Sequence, residues 1–127
     1  MDRQNELNPV KDILFDLRMS NKILIAVLYG SYAKGNPHAR SDIDLALYLN
    51  AENENNKMEI IDTILMATNM DVSILRLDDE DESPFIVQEA LKGIHLVEPD
   101  KNILYEVSNR VLHECENIRF RRGLNVG

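Results

Sequence analysis

The chain has 127 residues, of which 44% are hydrophobic and 28% charged, and this composition indicates one globular domain rather than a disordered chain. Its net charge of −8, from 22 acidic and 14 basic residues, disfavours contact with phosphate backbones, so we expect no direct binding of nucleic acid. The single cysteine, Cys115, excludes an internal disulfide, and without a signal-peptide core or an apolar run of ~20 residues we expect a cytoplasmic protein with no membrane span.

The first elements predicted along the chain are a helix and a strand. Residues 7–19 carry apolar side chains at helical spacing, with Asn8 placed to cap the helix and Pro9 at its first position. Residues 23–29 form an apolar run rich in branched side chains, and Gly30 ends it. Such a run predicts a buried strand.

A second strand and a helix follow. Residues 42–49 alternate, so Asp42 and Asp44 project to one face of the strand and four large apolar side chains project to the other. Residues 52–68 have helical periodicity. The side chains expected on the inner side of this helix are Met58, Ile61, Ile64, Leu65 and Thr68.

The remaining pattern predicts a strand at residues 70–76, a helix at 84–92, a short strand at 94–98 and a final helix at 101–121. Because the first two strands follow each other directly, the sheet should be mixed rather than wholly parallel. We therefore predict an α/β (α+β) fold in which helices pack mainly on one face of a mixed sheet. The other face would be open to a substrate.

Two short motifs carry the chemistry. Asp42 and Asp44 lie about 7 Å apart on one strand face, and paired carboxylates there suit magnesium, which keeps phosphate oxygens among its ligands. Gly30 and Ser31 follow a buried strand, where a glycine allows close approach of the backbone to a phosphate and a serine adds a donor. Taken singly, the acids also fit a solvated strand end and the Gly-Ser pair also fits an ordinary turn.

The two motifs together are more specific. A strand, Gly30-Ser31, ten intervening residues and a strand that opens with Asp42 and Asp44 resemble the signature of the nucleotidyltransferase superfamily that includes the beta-type DNA polymerases. The chain is most similar to the minimal nucleotidyltransferases, which consist of the catalytic domain alone. The resemblance implies that residues 1–127 form one such domain with the nucleotidyltransferase fold.

That resemblance also implies a set of ligands. Family members place a third acid on a later strand, and Asp71 is the matching residue here. Asp42, Asp44 and Asp71 would then be the catalytic and metal-binding residues for two magnesium ions, with ATP as the substrate. Gly30 and Ser31 would bind the triphosphate, and Lys34 and Arg40 are either further phosphate contacts or solvated loop cations.

The resemblance finally implies a partner. Minimal nucleotidyltransferases of this size are often paired with a HEPN-domain ribonuclease toxin, and such antitoxins transfer AMP to a tyrosine of the toxin, so we expect a hetero-oligomer. Two alternatives are an inactive antitoxin that neutralises its partner by binding alone, and an antibiotic adenylyltransferase. The basic residues Arg119, Arg121 and Arg122 either complement the end of the last helix or contact an acidic partner or a phosphate.

Overall fold

The computed structural model describes the backbone of residues 3–30 and 43–125, and the side chains of residues 7–30 and 43–119. The elements in chain order are α1 (Arg3–Met19), β1 (Ile23–Tyr29), β2 (Ile43–Leu49), α2 (Glu54–Met66), β3 (Val72–Arg76), α3 (Pro84–Ala90), β4 (Ile94–His95) and α4 (Lys101–Asn125). The four predicted strands and four predicted helices all occur in the predicted order. No helix among the described residues is both long and apolar enough to cross a membrane.

The sheet is mixed, as predicted, with the strand order β3-β2-β1-β4. β1 is antiparallel to both β2 and β4, whereas β2 and β3 are parallel. A short connection suffices for an antiparallel pair, while the parallel pair requires the crossover that α2 provides. β1 and β2 therefore form the centre of the sheet, and residues buried on both faces are expected there.

Helices cover both faces of the sheet, which differs from the expected single mainly covered face. On one face, Leu14 of α1 and Ile64 of α2 pack with Leu45 and Leu47 of β2. We call the other face the Asp44 face, because Asp44 shares its side of β2 with the fully buried Ala46. The small side chain of Ala46 allows α3 and α4 to pack closely there, and their buried residues form a second core: Val87, Ala90, Val107, Val111 and Cys115.

The start of α1 corrects the sequence-based prediction. The helix begins at Arg3, and Pro9 lies inside it rather than at its first position. An interior proline lacks an N–H donor and costs ~3 kcal/mol. Leu7 and Val10 are nevertheless buried in the same core as the rest of the helix, and this packing offsets the cost.

The prediction of which α2 residues face inward was also partly wrong. Ile60, Ile61 and Ile64 are its buried residues, whereas Met58 and Leu65 are 46% and 39% exposed. The helix begins at Glu54, two residues later than predicted, and the Asn53 side chain caps it by accepting a hydrogen bond from the Asn56 N–H at 2.8 Å. The spacing of the apolar residues alone fits several neighbouring faces of the helix. Contact with α1 and the sheet determines which of these faces is buried.

A network of charged side chains stabilises the C-terminal end of β3. Asp78, whose side chain is 4% exposed, accepts a hydrogen bond from the Leu49 N–H at 3.3 Å and forms ion pairs with Lys57 at 2.9 Å and Arg76 at 2.8 Å. Arg76 also binds both carboxylate oxygens of Glu54. These contacts join α2 to the end of the β2–β3 pair and help to hold its register.

Candidate active site

The turn after β1 brings the backbone into contact with an acidic side chain. Gly30 has a φ of +71°, a left-handed conformation that side-chain-bearing residues adopt at a cost. A Cβ atom at this position would lie 2.6 Å from Oδ2 of Asp44. The backbone conformation therefore favours glycine, a Cβ atom there would displace the Asp44 carboxylate, and the chain passes directly beside this carboxylate.

Asp44 lies near one end of β2, which is an inner strand of the sheet. It pairs with Tyr29 of the antiparallel strand β1 and with Ser73 of the parallel strand β3. Its side chain is half-buried. A carboxylate at such a position is limited in its orientations, which suits a group that must hold a cation in one place.

The predicted third acid, Asp71, immediately precedes β3, the strand that pairs with β2. Ile43 donates a backbone hydrogen bond to the Asp71 carbonyl at 3.0 Å, and Ser73 is the register partner of Asp44. Asp71 is two residues before Ser73, so continued strand alternation would direct its side chain to the face that carries Asp44. From ordinary strand spacing, the two backbone positions are roughly 8 Å apart, and the exposed carboxylate of Asp71 lies at the same end of the sheet.

The electrostatic environment of this end is acidic. Burial raises the pKa of the Tyr29 hydroxyl above its ordinary range, and the negative charges of Asp44 and Glu82 raise it further. Tyr29 is therefore neutral at pH 7 and its hydroxyl keeps a proton to donate. Its position beside Asp44 depends on the pairing of β1 with β2, so the sequence alone did not single it out.

Several predicted site residues lie outside the described part of the chain. These are Ser31, Lys34, Arg40 and Asp42, together with the side chains of Arg121 and Arg122. Among the described residues, no group of three acidic, histidine or cysteine side chains could hold a metal. Asp42 is outside the described residues and is not part of this statement. The structure thus brings Gly30 and Asp44 together and places Asp71 at the same end of the sheet, and the roles assigned to the three residues remain predictions.

The structure also contains a cavity that is not part of this site. It has a volume of about 630 Å³ and lies between α1 and α2, lined among others by Leu17, Asn50 and Ile60. Asn50 follows β2, six residues from Asp44, which corresponds to roughly 20 Å along an extended chain. This cavity therefore lies at the opposite end of β2 from Asp44.

A mixed four-stranded sheet in which Asp44 of a central strand lies beside a left-handed glycine turn is consistent with a nucleotidyltransferase domain. The family model "Polymerase beta, Nucleotidyltransferase" matches residues 11–102. The chain belongs to this family of nucleotidyltransferases. A search of curated proteins returned no match.

Comparison with solved structures confirms the fold. A toxin–antitoxin structure with AMP-PNP aligns with a TM-score of 0.65 at 19% identity, over 91% of this chain and 94% of that one. The toxin–antitoxin MntA–HepT aligns with a TM-score of 0.61 at 16% identity, over 92% and 93%. A tri-AMPylated Shewanella oneidensis HEPN toxin in complex with an MNT antitoxin gives 0.61 at 16% identity, over 92% of each chain.

Proposed function

We propose that this chain is a magnesium-dependent adenylyltransferase antitoxin that transfers AMP from ATP to a tyrosine hydroxyl of a cognate HEPN ribonuclease toxin. The observation that carries the proposal is the contact between the Gly30 turn and Asp44, with Asp71 at the same end of the sheet.

The donor set fits magnesium. Carboxylate oxygens are hard ligands, and Asp44 and Asp71 lie at one end of the sheet. Asp42 would complete the set. When bound, magnesium neutralises the charge of the triphosphate and polarises the phosphorus that is attacked. The acidic side chains at this end would otherwise repel a nucleotide.

The chain's own residues would align the reactants. The Gly30 turn, together with Ser31, would hold the triphosphate close to Asp44. The tyrosine oxygen attacks the α-phosphorus, the bond to the bridging oxygen of the β-phosphate breaks, and pyrophosphate leaves. Asp71, on the exposed side of the site, either accepts the hydroxyl proton or only positions the attacking group. Most of the catalysis would come from positioning and charge neutralisation.

The partner is proposed from the comparisons and the charge. Each of the three similar structures described above is a toxin–antitoxin assembly, and one of them contains an AMPylated toxin. The net charge of −8 disfavours a polynucleotide as the acceptor. A protein acceptor in a hetero-oligomer is consistent with both observations, and residues 1–127 would act as one minimal domain.

The direct test is transfer of labelled AMP. The chain is incubated with magnesium, its HEPN partner and ATP labelled at the α-phosphate, and the modified residue is located by mass spectrometry. We expect label on a partner tyrosine, no label when γ-labelled ATP is used, and none with Asp44→Asn. A tight but unlabelled complex would instead support an inactive antitoxin, and label on an aminoglycoside or similar drug would support an antibiotic adenylyltransferase.

A further inference from the structure

The direction of α4 places its C-terminal turns near the candidate site. Its start is fixed by the hydrogen bond from the Asp100 N–H to the Leu24 carbonyl at 2.8 Å, at the end of β1 far from Gly30. The buried residues of α4 continue to Cys115, which belongs to the core of the Asp44 face. From Asp100 to Cys115 the helix rises ~22 Å. Midway along it Arg110 donates a hydrogen bond to the Leu77 carbonyl at 3.3 Å, so α4 crosses the sheet obliquely towards β3.

Two neighbouring contacts support this placement. Asn117 and Ile118 of α4 line a cavity of about 450 Å³ together with residues 80–84. Glu82, within that segment, is close enough to Tyr29 to raise the pKa of its hydroxyl. Because Tyr29 is the cross-strand partner of Asp44, the 80–84 segment lies between the end of α4 and the end of the sheet that carries the acids.

The side chain of Arg119 lies over the aromatic ring of Phe85. Its guanidinium carbon lies 5.9 Å from the centroid of the Phe85 ring, within the range of a cation–π contact. Phe85 packs against the same core as Tyr29. A ring contact fixes a guanidinium without using its N–H donors, and a planar guanidinium binds phosphate oxygens in a bidentate manner.

We infer that Arg119, positioned on Phe85, binds the triphosphate of the nucleotide at the Asp44 site. This inference rests on the proposed function, since it assumes that the site binds ATP. Asp44, Asp71 and Glu82 make this end of the sheet negative, so an added cation favours a ligand that brings several negative charges. Arg119 is exposed, which leaves it accessible to such a ligand.

Three other basic side chains with described contacts, those of Lys57, Arg76 and Arg18, are engaged away from this end of the sheet. Lys57 and Arg76 pair with Asp78, beyond the opposite end of β2. Arg18 donates to the Glu98 carbonyl at 2.9 Å, on the far side of the sheet from α4. Arg119 therefore has a position that these residues do not share.

The test measures binding of an ATP analogue with a methylene bridge between the α- and β-phosphates, which cannot release AMP. Titration calorimetry of the full chain with magnesium compares the wild type with Arg119→Met, Arg119→Lys and Lys101→Met. Lys101→Met removes the same charge from the first residue of the same helix, at the other end of the sheet. We expect Arg119→Met to raise the Kd by about tenfold or more, Arg119→Lys to restore part of the affinity and Lys101→Met to leave it unchanged.

The possible outcomes separate the two proposals. If the wild type binds the analogue and Arg119→Met binds equally well, the assignment of Arg119 is wrong while ATP binding stands. If Arg119→Met binds the analogue normally but loses transfer to the partner, Arg119 contacts the acceptor and the triphosphate assignment is overturned. If the wild type does not bind the analogue, the proposed function itself fails. Thermal melts of each variant exclude unfolding as the cause of lost binding.

Discussion

Replacement of Gly30 by alanine tests the geometry of the site most directly. The substitution adds one Cβ atom and leaves the charge unchanged. That atom would lie 2.6 Å from Oδ2 of Asp44, and the backbone at this position has a φ of +71°. The change therefore acts on backbone conformation and on the position of the carboxylate at the same time.

The two effects have different magnitudes. A left-handed alanine costs roughly 1–2 kcal/mol, and the reduced entropy of the unfolded chain returns about 0.5–1 kcal/mol, so the net loss of stability is about 1 kcal/mol. For a chain of this length we expect the Tm to fall by about 3–6 °C. The contact requires the Asp44 oxygen to move by roughly 0.7 Å, and a misplacement of about 1 Å lowers catalysis ~100-fold. We expect kcat to fall about 10- to 100-fold.

The assay is AMP transfer to the partner under saturating ATP, at a temperature well below the Tm of the variant. Gly30→Asn is a useful companion because asparagine tolerates the left-handed conformation but adds the same Cβ atom. It should lose activity with a smaller loss of Tm. Full activity per folded molecule of Gly30→Ala would refute the claim that the glycine turn positions Asp44.

Three further predictions concern other parts of the molecule. Asp44→Asn should lower AMP transfer at least about 100-fold while its Tm changes little, as measured by transfer assay and thermal melt. Pro9→Ala should raise the free energy of unfolding by about 1–3 kcal/mol in urea, because α1 begins at Arg3; a neutral effect would indicate a helix that starts at Pro9. Burial raises the pKa of Asp78, but its bonds to Arg76, Lys57 and the Leu49 N–H outweigh this and hold it below its usual range. Its folded pKa is thus below the unfolded value, so its contribution to stability is present above about pH 4 and is lost as the pH falls further. Asp78→Ala should cost about 3 kcal/mol at pH 7 and flatten the loss of stability at acid pH, and an unchanged acid profile would contradict this account.

Local sequence patterns determined much of the secondary structure of this protein. The apolar run before Gly30 and the alternation that follows Asp42 predicted β1 and β2 within one residue of their observed bounds. These signals depend only on chain periodicity and turn residues, which is why they could be read without the fold. The spacing between Gly30 and Asp44 likewise indicated the family, because the motif requires fixed chemistry at fixed separations.

Other features were decided by contacts between distant segments. The antiparallel pairing of β1 and the parallel pairing of β3 place Tyr29 and Ser73 on either side of Asp44, and strand registers are not encoded in local periodicity. The second covered face arises because α3 and α4 fold back over Ala46, whose small side chain gives no local signal of a helix above it. Burial of Leu7 also extends α1 to the N-terminal side of Pro9. The stabilisation from packing this side chain exceeds the unfavourable helix propensity of proline. The sequence thus determined the candidate site residues and the family, because both depend on local motifs, whereas the packing of the chain decided the strand pairing around Asp44.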